Sequence, residues 1–156
     1  LMRSSAASDV YKRQLVCMLV DTMNKKIYIF DELYETGLTN QQLASRIIDM
    51  GYAKEKIRAD SAEPKSIEEL YQAGLKGITR ARKGKDSILN GIQRIQDYEL
   101  IVHPRCVNVL RELSTYQWAK DRFEKYTGKP EDENNHAMDA MRYGLEDINV
   151  ERWSFD

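Results

Sequence analysis

From Leu15 the chain reads as two apolar segments, LVCMLV and KIYIF, separated by a polar stretch that begins at Asp21-Thr22-Met23-Asn24. Ile27 and Ile29, with the β-favouring Tyr28 and Phe30, mark the second segment as a strand, and the short polar connection predicts a β-hairpin. A helical period follows in Leu43, Ile47 and Ile48, opened by Thr39 as N-cap and stopped at Gly51. Ile57 to Ala62 predicts a short strand running into an acid. Pro64 then opens a helix whose apolar face is Ile67, Leu70 and Tyr71, up to Gly74. Ile88, Ile92 and Ile95 are in helical register. Leu100 to Pro104 is a β-like run closed by proline, and Val109, Leu110 and Leu113 share a face of a helix from Cys106 to Tyr116. A turn-rich acidic loop at Lys129 to Glu133 delivers the chain to the last period. There Met138, Met141, Leu145 and Ile148 line one helical face while His136 and Asp139, three residues apart, share another. One face is predicted to pack and the other to present chemistry.

A hairpin first and alternating strands and helices afterwards predict an α/β fold, a mixed sheet flanked by helices. Residues 1–14, LMRSSAASDVYKRQ, show neither period and read as an appended, non-native segment, with a disordered terminus as the alternative. The expected organisation is therefore one domain over 15–150 and a polar tail over 151–156. A length of 156 residues, 42% apolar and 31% charged, suits a single globular domain with its own core. The net charge of -1 argues against wholesale electrostatic binding of a polyanion but leaves room for a local basic patch. Cys17 and Cys106 are isolated and lack metal or CxxC spacing, which fits free thiols in a reducing compartment. No apolar run is long enough to span a membrane, and a cytoplasmic location is expected.

Candidate chemistry begins at the last helix, where an acid beside an imidazole suits a hard divalent cation; helix capping is the competing use of both residues. Asp60, at a strand's C-terminal end just before a helix, sits where sheet-based sites commonly lie, and it too has a capping alternative. Lys76 to Asp86 places five cations around two glycines. Of these, Arg80, Arg82, Lys83 and Lys85 suit a phosphate backbone lying near Asp60, against the alternative of a solvated cationic turn. Asp31, Glu32 and Glu35 could line a site or simply solvate a strand exit. His103, next to proline, reads as a turn residue. No nucleotide-cradling glycine motif is present.

Three segments, IYIFDELYETGLTNQQLASRI, IRADSAEPKSIEEL and NNHAMDAMRYG, in that order, resemble the C-terminal nuclease domain of tailed-phage terminase large subunits. The resemblance covers about Leu15 to Ile148. It implies a ribonuclease H-like fold and a two-metal endonuclease, using Mg²⁺ or Mn²⁺, that cuts concatemeric double-stranded DNA during packaging in the bacterial host. It implies the terminase small subunit and the portal or procapsid as partners. By the same resemblance Asp60 and Asp139 are catalytic, metal-binding acids with His136 beside them. The family's first acid lies on a first strand that should precede Leu15, and no residue here matches it. The first strand is accordingly expected to be missing or replaced, and the chain to cut poorly. Another ribonuclease H-like nuclease, a resolvase or transposase, and a non-catalytic DNA- or procapsid-binding module are the competing readings.

Overall fold

The structure is a computed structural model that describes residues 2–7, 10–82, 87–115, 118–120, 126–130, 136–146 and 148. Six strands form one mixed sheet in the order β5-β4-β1-β2-β3-β6, and a separate two-stranded ribbon pairs β7 with β8. β1 (Met2–Ala7), β2 (Val10–Asp21) and β3 (Lys26–Thr36) form an antiparallel meander. β4 (Ile57–Ala59) runs parallel to β1, β5 (Ile78–Arg80) parallel to β4, and β6 (Glu99–Val102) parallel to β3. The appended-looking segment thus contributes the central strand, with Met2 opposite both Leu15 and Ala59. The place of the first strand is filled by MRSSAA, a sequence with no carboxylate.

Strand alternation divides the core. Leu15 and Cys17 face one layer while Val16, between them, faces the other. On the first side α1 (Asn40–Asp49) and α2 (Pro64–Gln72) cover the sheet with Leu43, Ile47 and Leu70, all fully buried. On the second, α3 (Ser87–Gln96), α4 (Val107–Thr115) and α5 (His136–Leu145) pack Ile92, Ile95, Val109, Met138 and Met141 against Val16, Ile27 and Ile29. The expected mixed α/β sheet flanked by helices is what forms.

Local chemistry sets the ends of these elements. The Thr39 hydroxyl accepts from the Gln42 N–H at 3.1 Å and the Gln42 side chain accepts from the Thr39 N–H at 2.9 Å, a reciprocal capping box at the start of α1. Gly51, just past that helix, has φ of +90°, which glycine adopts without steric cost. In the β2–β3 turn the Asp21 carboxylate accepts from Met23 N, Asn24 N and Asn24 Nδ2 at 3.1, 3.0 and 2.7 Å.

A bulge redirects β3. The pairing steps from Cys17 opposite Asp31 to Met18 opposite Ile29, leaving Phe30 as the extra residue. Ile27 and Ile29 before it, and Tyr34 after it, consequently lie on the same α3-α4-α5 side, while Phe30 and Leu33 lie on the other. Two expectations are corrected here. Lys129 and Pro130 of the expected loop close β8 (Tyr126–Pro130), which pairs with β7 (Trp118–Lys120), while 131–133 lie outside the described residues; and α5 is buried nearly all round, from Ala137 through Tyr143 and at Leu145. The site-bearing helix has no solvent-presenting face.

Candidate metal centre

Asp60 follows β4 directly. Its Oδ1 accepts from the Ala62 N–H at 3.0 Å, an Asx turn that leads into α2; the N-cap of α2 is Glu63, so Asp60 is not the capping residue. Alternation along β4 puts Asp60 on the side of Arg58, opposite the buried Ile57 and Ala59, and Arg58 Nε lies 3.9 Å from the Glu146 carboxylate at the end of α5. Asp139 is in the first turn of α5, which packs against β2, β1 and β4. Both acids are buried, at 9% and 8% exposure.

Asp139 has an intimate partner: the buried Arg142 guanidinium donates to its Oδ1. The Arg142 stem lies over α3 at Gly91, where an added Cβ would come within 2.6 Å of Arg142 Cδ. Glycine there lets α3 approach closely enough for arginine to lie between the helices. At the other end of α5, Glu146 accepts from the Arg82 N–H at 3.2 and 3.0 Å, tying the helix to the segment after β5.

His136 is the first residue of α5 and half-buried. Arg80 and Arg82 are exposed at β5, an edge strand of the sheet. Lys83 and Lys85 lie outside the described residues. Asp31, Glu32 and Glu35, expected at a strand exit, lie within β3, where each has a protein partner. Asp31 accepts from the Tyr52 hydroxyl at 2.8 Å, and Glu35 pairs with Arg46 at 2.8 Å. Glu32 accepts from the Asn108 and Val109 N–H groups, both at 2.9 Å, at the start of α4. His103 is exposed in the turn after β6, its Nδ1 accepting from Arg105, as its place beside proline suggested.

Sequence reasoning missed one buried acid. Glu112 on α4 is 4% exposed, and its Oε2 accepts from the Ala137 N–H at the start of α5. Its burial was visible in the pattern only as position i+3 from Val109 on an otherwise apolar face.

Two buried carboxylates on adjoining elements offer the hard oxygen donors that Mg²⁺ and Mn²⁺ prefer. Among the described residues no three or more His, Cys, Asp or Glu side chains gather as a ligand set, so the donors fit a divalent ion as a partial set. A cavity of about 350 Å³ lies elsewhere, lined by Leu15, Leu19, Phe30, Tyr52 and Ile57 at the opposite end of β4 from Asp60. Its lining is mostly apolar but also includes Cys17, Glu55, Lys56 and Arg58.

A β1-β2-β3 antiparallel meander continued by parallel β4 and β5, with helices on both faces and acids at the end of β4 and on the last helix, defines a ribonuclease H-like nuclease fold. Residues 10–147 match the family described as the terminase RNase H-like domain, and the chain belongs to that family. It is 35% identical over 142 residues to the PBSX phage terminase large subunit of Bacillus subtilis, covering 87% of this chain and 31% of that protein. It is 31% identical over 129 residues to the terminase large subunit of Bacillus phage SPP1, covering 81% and 31%. The chain thus spans about a third of these relatives. The crystal structure of the SPP1 large terminase nuclease domain with bound Mn superposes with a TM-score of 0.83 at 28% identity, over 94% of this chain and 84% of that one. The P22 large terminase nuclease domain shares the fold at a TM-score of 0.63 and 15% identity, over 96% and 80%.

Proposed function

We propose that this chain is the metal-dependent endonuclease domain of a viral DNA-packaging terminase large subunit, acting on double-stranded DNA. The observation that carries this reading is the placement of Asp60 and Asp139, both buried, on β4 and on the α5 that packs against it, within the family-matched region. Asp60 and Asp139 hold a divalent Mg²⁺ or Mn²⁺, and His136 at the head of α5 borders the site. A bound divalent ion lowers the pKa of attacking water and stabilises the leaving oxygen of the phosphodiester. The protein's own part is to orient both carboxylates, and Arg142, bonded to Asp139 Oδ1, does this for Asp139. Arg80 and Arg82, with Lys83 and Lys85 beyond them in sequence, neutralise the DNA backbone. In the longer protein the partners are the terminase small subunit and the portal or procapsid.

The central strand brings no acid, so this chain supplies two carboxylates and cuts weakly. A plasmid-nicking assay in Mn²⁺, on this chain and on a longer parent carrying Asp60→Ala or Asp139→Ala, tests the assignment. Each substitution is expected to lower the parent's nicking at least a hundredfold. Wild-type nicking by either variant would remove that residue from the site.

The carboxylate-free β1 also favours a second reading, a module that binds DNA without cutting it. Salt-sensitive DNA binding with no nicking by the longer parent would select that reading.

A further inference from the structure

The acids that the site does not use are arranged as a relay. Glu32 on β3 accepts from Asn108 N and Val109 N, both at 2.9 Å, and from Asn108 Nδ2 at 3.1 Å. These are donors of the first turn of α4, which the helix itself leaves without partners. One turn on from Val109, Glu112 projects from the same helix and accepts from Ala137 N, in the first turn of α5. Asp139 follows two residues later, about 3 Å further along the axis. Tyr34, on the same side of β3 as Glu32, has its hydroxyl buried beside both acids. Burial, then the Glu112 and Glu32 carboxylates, push its phenol well above the usual tyrosine range.

A buried carboxylate is costly unless it is hydrogen-bonded, and a helix N-terminus repays it with unpaired N–H groups and a favourable dipole. The relay uses that chemistry twice in series: the sheet sets the start of α4, and α4 sets the start of α5. We propose that Glu112 is a positioning residue for the metal centre, fixing through its bond to Ala137 the depth at which α5 carries Asp139 into the site. This rests on the reading of Asp139 as a metal ligand. Glu112 touches no substrate and holds no metal; it acts through the helix.

Two substitutions separate position from charge. Glu112→Asp keeps the charge and shortens the reach by one methylene, whereas Glu112→Gln loses the charge and keeps an acceptor at the same reach. Mn²⁺ binding to this chain, followed by the EPR signal of free Mn²⁺, is expected to weaken about tenfold in Glu112→Asp and less than threefold in Glu112→Gln. The reverse order, or equal affinities, would overturn the proposal in favour of a through-space charge effect or none. Val109→Ala, a core truncation in α4, is expected to lower the melting temperature with Mn²⁺ affinity unchanged; an equal loss of affinity there would reduce Glu112 to a merely structural role. Asp139→Ala tells the two readings apart. If it binds Mn²⁺ like wild type, the metal reading falls and this proposal with it; if it loses binding while Glu112→Asp does not, only this proposal falls. Amide exchange gives a readout that needs no metal: in Glu112→Asp, Ala137 to Met141 should exchange at least tenfold faster while Ile92 and Ile95 stay protected. Unchanged protection of α5 would also overturn the proposal.

Discussion

Cys17 and Cys106 show how burial decides the chemistry of a residue whose type suggests reactivity. Burial, with the Asp31 carboxylate adding to it, pushes the Cys17 thiol up to about 12, and burial with Glu32 and Asp31 pushes Cys106 up to about 11. Both are far from the thiolate state that attacks electrophiles or binds soft metals. The folded protein therefore holds these protons more tightly than the unfolded chain, whose thiols ionise near 9.0. The sign of the linkage follows. Their contribution is fully present below about pH 9 and declines as pH rises toward the folded values, because the unfolded state gains charge first. Unfolding free energies of wild type and Cys17→Ala from urea titrations, compared between pH 8 and 10.5, should converge above pH 9 by up to about 1.4 kcal/mol per pH unit. A constant difference across that range would show that Cys17 does not hold its proton in the fold.

At the level of elements, α1 was legible because its signals are local. Thr39 and Gly51 act within a few residues of the helix they delimit, and the N-cap and the left-handed stop form where the spacing placed them, with Gln42 adding the reciprocal bond of a capping box. Asp60 was legible for a similar reason, as the acid between a strand and a proline-led helix. The faces of β3 and α5 were not. The Phe30 bulge reverses alternation in mid-strand, and it depends on pairing with β2, so nothing within IYIFDELYE announces that Glu32 and Tyr34 will join the side of Ile29. In α5 the heptad-like Met138, Met141 and Leu145 suggested a single packing stripe, yet with α3, α4 and three strands all in contact with the helix, Asp139 and Arg142 are buried as well. Gly91 is where α3 meets the Arg142 stem most closely. Gly91→Ala should gain up to about 1 kcal/mol of helix propensity and lose about 1–3 kcal/mol to overpacking against the buried Arg142 stem. The expected net result is a melting temperature lower by a few degrees, measured by circular dichroism. A raised melting temperature would mean that the α3–α5 contact has room the geometry does not show.

On the scale of the whole molecule, charge and topology must be read together. The net charge of -1 gives no general attraction to DNA, so the proposed function requires cations concentrated locally. The sheet ends in β5 beside β4, which puts the exposed Arg80, at the end of β5, and Arg82, two residues past it, on the edge next to the strand that precedes Asp60. Glu146 ties the Arg82 backbone to the end of α5, the helix that carries Asp139. The segment after β5 and the helix of Asp139 are thereby joined, a relation the sequence does not announce, since the register of β5 on β4 is non-local. The Arg82 anchor is its backbone N–H, so truncating the side chain leaves the tie in place. Arg80→Ala with Arg82→Ala should weaken DNA binding uniformly across sequences, without lowering the melting temperature. If each arginine neutralises one phosphate, the slope of log affinity against log salt concentration should become shallower by about 2, as roughly 0.9 is expected per contact. A salt titration by fluorescence anisotropy on a duplex of arbitrary sequence measures that slope. An unchanged slope would move the DNA path away from the β5 edge and leave the two acids served by a different cationic surface.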